Sequence, residues 1–92
     1  MILTKAIINI KPYNKGGRIQ MPEGSGYSPY LEINQNLIAV RFHNINHNAS
    51  FETDTNVDIE ILNPDESNEK QFKKSTSFKI IEGIKIIGFG SF

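Results

Sequence analysis

Cysteine is absent from this 92-residue chain, which excludes disulfides, thiolate metal sites and cysteine nucleophiles and leaves packing as the source of stability. Net charge is absent as well. Ten acidic and ten basic residues cancel, so no overall field draws the chain to nucleic acid or to an anionic membrane. No run approaches the ~18 uninterrupted apolar residues of a membrane span. The amino terminus, MILTKAIINIKPYN, carries no basic leader, long apolar core or small-residue cleavage site, and a cytoplasmic protein is expected. Apolar residues nowhere recur at i, i+3, i+4 and i+7 over several turns, so helix content should be near zero.

What is present suits one small globular domain spanning residues 1–92. Apolar residues make up 38% of the chain, enough for a single core in a chain that buries about 60–65% of its unfolded surface. Fifteen Ile, ten Asn and eight Lys stand against two Arg. That bias is what an AT-rich genome produces, so the Asn-rich loops carry no mechanistic weight of their own.

Ala6, Ile8 and Ile10 alternate with Lys5, Asn9 and Lys11, the period of a half-buried strand, and Pro12 ends it. YLEI (30–33) and LIAVRF (37–42), joined by NQN, make a hairpin. NVDIEIL (56–62) alternates again, with Val57, Ile59 and Ile61 inward, Asp58 and Glu60 outward in ordinary solvation, and Pro64 as its stop. The polar run 65–77 reads as a solvated loop; its lysines 70, 73 and 74 follow Asp65, Glu66 and Glu69. The last segment, SFKIIEGIKIIGFGSF, is a hairpin around Glu82-Gly83. Six short strands with these turn signals predict an all-β fold, a closed antiparallel six-stranded barrel of Greek-key type, because closure removes exposed edges.

The longest irregular stretch is KGGRIQMPEGSGYSP (15–29), with four glycines and two prolines. A strand leads to K-G-G-R (15–18) and then to G-Y-S-P (26–29); later come N-P (63–64) and F-K-I-I-E-G-I-K-I-I-G-F-G (78–90). This ordered series resembles the carboxyl-terminal, third barrel domain of elongation factor Tu, where a strand runs into Glu-Glu-Gly-Gly-Arg, then Gly-Tyr-Arg-Pro, and the domain closes with Phe-x-Ile-Arg-Glu-Gly-x-x-x-Val-Gly-x-Gly. The match extends from about Lys5 to Ser91 and includes Gly16, Gly17, Arg18, Gly26, Tyr27, Pro29, Pro64, Phe78, Ile80, Glu82, Gly83, Ile87, Gly88 and Gly90. The resemblance implies the barrel fold and a link to translation. In the full factor this barrel helps hold the aminoacyl-tRNA T stem and packs on the GTPase domain.

The departures bear on function. No GxxxxGK[ST] occurs, so no nucleotide is expected and GTP hydrolysis does not carry over. Asn14 and Lys15 replace the acidic pair, and Ser28 stands where the family has arginine, removing a guanidinium capable of bidentate contacts. The stretch between Pro64 and Phe78 is longer than the family's. Ile81, Ile84, Ile86 and Phe89 fall where the family has polar or small residues, so the final hairpin reads as apolar on both faces. An outward apolar patch of this kind marks an interface, unless it reflects drift toward isoleucine or lies under the 65–77 loop.

Individual residues leave alternatives open. Arg18 follows paired glycines, where it could clamp an anion with converging backbone N–H groups. Alternatively, Gly16 and Gly17 take positive φ and Arg18 braces the loop by bonding carbonyls. Tyr27 and Tyr30 flank Pro29, as base-stacking rings or as a packed lid on the barrel. His43 and His47 are four apart, but in a strand end and loop rather than a helix, and no carboxylate stands at a telling spacing from either. Neither a metal site nor a catalytic histidine is expected, no serine has a recognisable histidine partner, and no cofactor is implied.

The expected function is therefore binding without catalysis. The first hypothesis is a module engaging a protein partner, or a second copy of itself, through the terminal hairpin (Ile84, Ile86, Phe89) and the 13–29 loop. An immunity-type antagonist mimicking the elongation factor's barrel is a sharper form of it. The second is tRNA or RNA binding through Lys15, Arg18, Tyr27 and Tyr30, which should weaken steeply with salt. An enzyme of unknown type is the third.

Overall fold

Six antiparallel strands close into a barrel in the computed structural model, which describes residues 3–63, 72–73 and 76–92. The strands are β1 (Leu3–Ile10), β2 (Tyr30–Ile33), β3 (Asn36–His43), β4 (Thr55–Ile61), β5 (Ser77–Glu82) and β6 (Lys85–Ser91). Around the barrel their order is β1-β4-β3-β2-β5-β6, with β6 pairing back onto β1. β2, β3 and β4 are consecutive neighbours and β5 returns beside β2, which is the Greek-key order. The solvated loop expected over 65–77, with Pro64, Lys70 and Lys74, lies mostly outside the described residues.

The strands form where apolar and polar residues alternate, because alternate side chains leave a strand on opposite faces. Ala6, Ile8 and Ile10 of β1 are buried, as are Leu31 and Ile33, then Ile38, Val40 and Phe42, and Val57, Ile59 and Ile61. With Phe78, Ile80 and Ile87 they fill one core. Two tight turns set the hairpin registers. Asn34 and Gln35 both take positive φ, 49° and 71°, the type I′ pattern, and Gly83 at 67° occupies the first central position of a type II′ turn. Both turns match the right-handed twist of the strands they join.

Alternation breaks once. Ile80 pairs with Gly88 but Ile81 pairs with Ile86, so Ile87 is an extra residue on β6. The bulge turns Ile87 and Gly88 both inward. Ile81, expected on an outward apolar face, is only 8% exposed, and Ile86 is half-buried. The final hairpin therefore presents Ile84 and Phe89 to solvent, not a continuous apolar wall.

Barrel closure depends on two glycines. Gly88 and Gly90 pair with Ile10 and Ile8 across the β1–β6 seam. A Cβ at Gly88 would lie 2.4 Å from the Asn9 carbonyl oxygen, and one at Gly90 2.5 Å from the Phe78 ring.

The glycine-rich stretch is stitched to the barrel rather than looped away from it. After a 3-10 turn at Tyr13–Lys15, Gly16 takes φ 87° and reverses the chain. Gly17 is absent from the positive-φ glycines, contrary to expectation. Its need is space: a Cβ there would sit 1.7 Å from the Lys11 carbonyl oxygen. Beyond it, Gly24 and Ile45 exchange backbone hydrogen bonds of 2.8 and 2.9 Å, Gly26 N–H donates to the Phe42 carbonyl, and Phe42 N–H donates to the Tyr27 carbonyl. Residues 24–29 thus continue β2 irregularly along β3. Ser28, where the resembled family has arginine, donates its hydroxyl to the Val40 carbonyl at 2.6 Å and fastens the same edge.

Candidate functional site

The 13–29 stretch and the β5–β6 hairpin meet at one end of the barrel. Between them lies a cleft of about 450 Å³ lined by Tyr13, Gly17, Arg18, Ile19, Gln20, Glu82 and Lys85. Two of these lining residues, Arg18 and Glu82, are tied together through Tyr27. The Tyr27 hydroxyl donates to Glu82 Oε2 at 2.5 Å. Arg18 Nε lies 3.4 Å from the same oxygen, and the Arg18 guanidinium carbon sits 4.4 Å from the Tyr27 ring centroid. Tyr27 is held in turn by an edge contact with Phe42 of the core, centroids 5.6 Å apart.

Both Arg18 and Tyr27 have structural partners in this arrangement. Arg18 braces the loop, but through a carboxylate and a ring rather than through carbonyls. Tyr27 is a packed lid. Its phenol is held neutral well above the ordinary tyrosine range, first by burial and then by the hydrogen bond and negative charge of Glu82, with Arg18 opposing.

The cleft's outer rim is apolar and cationic. Ile84, at the tip of the hairpin between Glu82 and Lys85, is 104% exposed, Ile19 is 78% exposed and Tyr13 65%. The Lys85 ammonium lies 5.5 Å from the centroid of the Tyr13 ring. Nearby, Lys11 holds its ammonium 5.8 Å from the Phe89 ring centroid. Three cations at this end of the barrel are therefore each seated on an aromatic face.

Not every expected contact residue belongs here. Lys15 is paired with Glu52 at 2.6 Å, an exposed ion pair of little energetic weight. Tyr30 and Ile86 lie on the barrel wall in a cross-strand row running Ala39, Tyr30, Ile81, Ile86. Phe89 belongs to the adjacent row with Lys79 and Asn9. Of the expected set, only Arg18 lines the cleft; Tyr27 contacts the lining residues Arg18 and Glu82, and Ile84 sits in the turn just before Lys85. Tyr13, Ile19, Gln20 and Lys85 were not singled out from sequence, because what brings them together is the meeting of two chain segments more than sixty residues apart. Glu82 was visible only as part of the terminal motif.

The histidines also differ from expectation. His43 Nε2 lies 2.8 Å from Glu60 Oε1, which Arg41 also approaches at 3.6 Å. Glu60 is outward on β4 as expected, yet its side chain is only 16% exposed. The pairing follows from β3–β4 register, in which Arg41 faces Glu60 and His43 lies two residues along. His47 stands 3.6 Å from Glu23 at an exposed site. Among the described residues no group of three or more side chains is arranged to hold a metal ion, and no helix is long and apolar enough to cross a membrane. No known protein-family model and no curated protein sequence matches the chain.

Proposed function

We propose that this chain is a non-catalytic binding module of the elongation factor Tu carboxyl-barrel type, engaging a protein partner through the barrel end where the 13–29 stretch meets the terminal hairpin. The observation that carries this reading is the exposure of Ile19 and Tyr13, which line the cleft, and of Ile84, which directly precedes the lining residue Lys85. Burying an exposed isoleucine contributes ~1.5–3 kcal/mol, so leaving two at one end of a small barrel favours a partner that covers them. The family likeness is supported by the contacts of its matched residues. Arg18, Tyr27 and Glu82 come from three separate motifs, and they touch one another.

The test is capture from the native host by the tagged chain, with and without the paired substitutions Ile19→Asp and Ile84→Asp, analysed for protein and RNA. A protein retained by the unaltered chain, lost by the double variant and indifferent to ribonuclease is the expected outcome. Capture of the same set by both forms, or release by ribonuclease, would sink the proposal.

A further inference from the structure

The geometry points to the chemistry of that partner: an extended acidic peptide segment that carries an aliphatic side chain beside its carboxylates. This inference rests on the protein-binding reading and adds the recognition rule. Glu82, the one acidic residue lining the cleft, is already engaged by the Tyr27 hydroxyl and by Arg18. Lys85 lines the same cleft, and neither it nor Lys11 makes an ion pair among the described residues. In a chain of zero net charge, this end therefore presents two cations without an ion-pair partner among the described residues. Ile19 and Ile84 stand beside them, exposed. A carboxylate reaching Lys85 would bring a neighbouring aliphatic side chain onto Ile84, which directly precedes Lys85.

The same features disfavour a nucleic acid strand. Base stacking needs open aromatic faces, but Lys85 takes one face of the exposed Tyr13 ring, and Tyr27 is held between Arg18 and Phe42. The two isoleucines offer nothing to a phosphate backbone. A peptide satisfies both halves of the rim.

The test uses fluorescence anisotropy of the full chain with a labelled probe of about ten alternating Glu and Leu residues. Matched probes of Lys and Leu, of Glu and Gly, and an oligouridine of similar length serve as comparisons. Saturable binding of the Glu/Leu probe is expected, with the others weaker. Raising salt from about 50 to about 300 mM should loosen it. Lys85→Glu should weaken it about tenfold, since a like charge then faces the ligand. Ile84→Ser should weaken it too, and both positions lie at an exposed turn where folding is readily checked by circular dichroism. No saturable binding, equal binding by Lys85→Glu, or tighter binding of oligouridine overturns the inference. Should a host protein captured through Ile19 and Ile84 survive Lys85→Glu and resist displacement by the Glu/Leu probe, the module stands and its acidic specificity falls. If neither host protein nor probe binds, both fall.

Discussion

Replacing Gly17 by alanine isolates the close approach on which the cleft is built. The added methyl would lie 1.7 Å from the Lys11 carbonyl oxygen and 2.2 Å from its carbon, so backbone must move. Two hydrogen bonds cross this contact: Gly17 N–H to the Pro12 carbonyl at 2.9 Å and Arg18 N–H to the Lys11 carbonyl at 3.0 Å. Each contributes ~0.5–1.5 kcal/mol, and overpacking of this kind costs ~1–3 kcal/mol. Together the loss is about 2–6 kcal/mol, or about 10–30 °C in Tm for a domain of this size. Gly24→Ala is the control, because its φ is 69° but nothing lies within 4 Å of a Cβ there. It loses only the left-handed conformational allowance, ~1–2 kcal/mol. Thermal melts of the three proteins, with amide exchange at Arg18, decide the matter. Gly17→Ala should melt lowest and release the Arg18 amide to exchange. A melting point no lower than that of Gly24→Ala would refute the claim that Gly17 is required for space.

Tyr27→Phe removes the hydrogen bond to Glu82 and should cost ~0.5–1.5 kcal/mol near neutral pH. Because the folded phenol's pKa is raised, its contribution is fully present below the ordinary value of 10.0 and declines as pH rises from there through the folded value. The stability gap between wild type and variant should shrink by up to ~1.4 kcal/mol per pH unit in that alkaline window; a gap constant to about pH 11.5 would contradict it. At the β3–β4 face, a double-mutant cycle of His43→Ala with Glu60→Gln should return ~0.5–1 kcal/mol of coupling in denaturant titrations at neutral pH. Zero coupling would mean that the 2.8 Å contact contributes nothing in solution.

The strands could be read from sequence because their signal is local. Ile8 and Ile10, or Ile59 and Ile61, announce their face through neighbours one residue away, and each is buried in the barrel. The phase of that signal fails at one inserted residue. Parity would put Ile87 and Gly88 on opposite faces, but the unpaired Ile87 leaves both inward, and no neighbouring residue type advertises the bulge. Glycine carries a similar ambiguity. Gly16 and Gly17 are indistinguishable as letters, yet the first needs a left-handed φ and the second needs only the absence of a Cβ. The cleft was hidden for a different reason. Tyr27 and Glu82 are 55 residues apart, so their contact depends on which strands become neighbours, and no pattern along the chain encodes it. Three short motifs around Arg18, Tyr27 and Glu82 are nonetheless what made the chain resemble a translation-factor barrel. Their convergence supplies a reason for the set that needs no RNA. A loop stitched along β3 and a hairpin beyond β5 must be locked together at the barrel's end, and a tyrosine, an arginine and a carboxylate do so across three segments. That locking role accounts for the motif residues themselves. On the proposed reading, partner recognition then falls to Ile19 and to the unmatched positions of the terminal motif, Ile84 and Lys85, and it is there that substitutions should separate binding from folding.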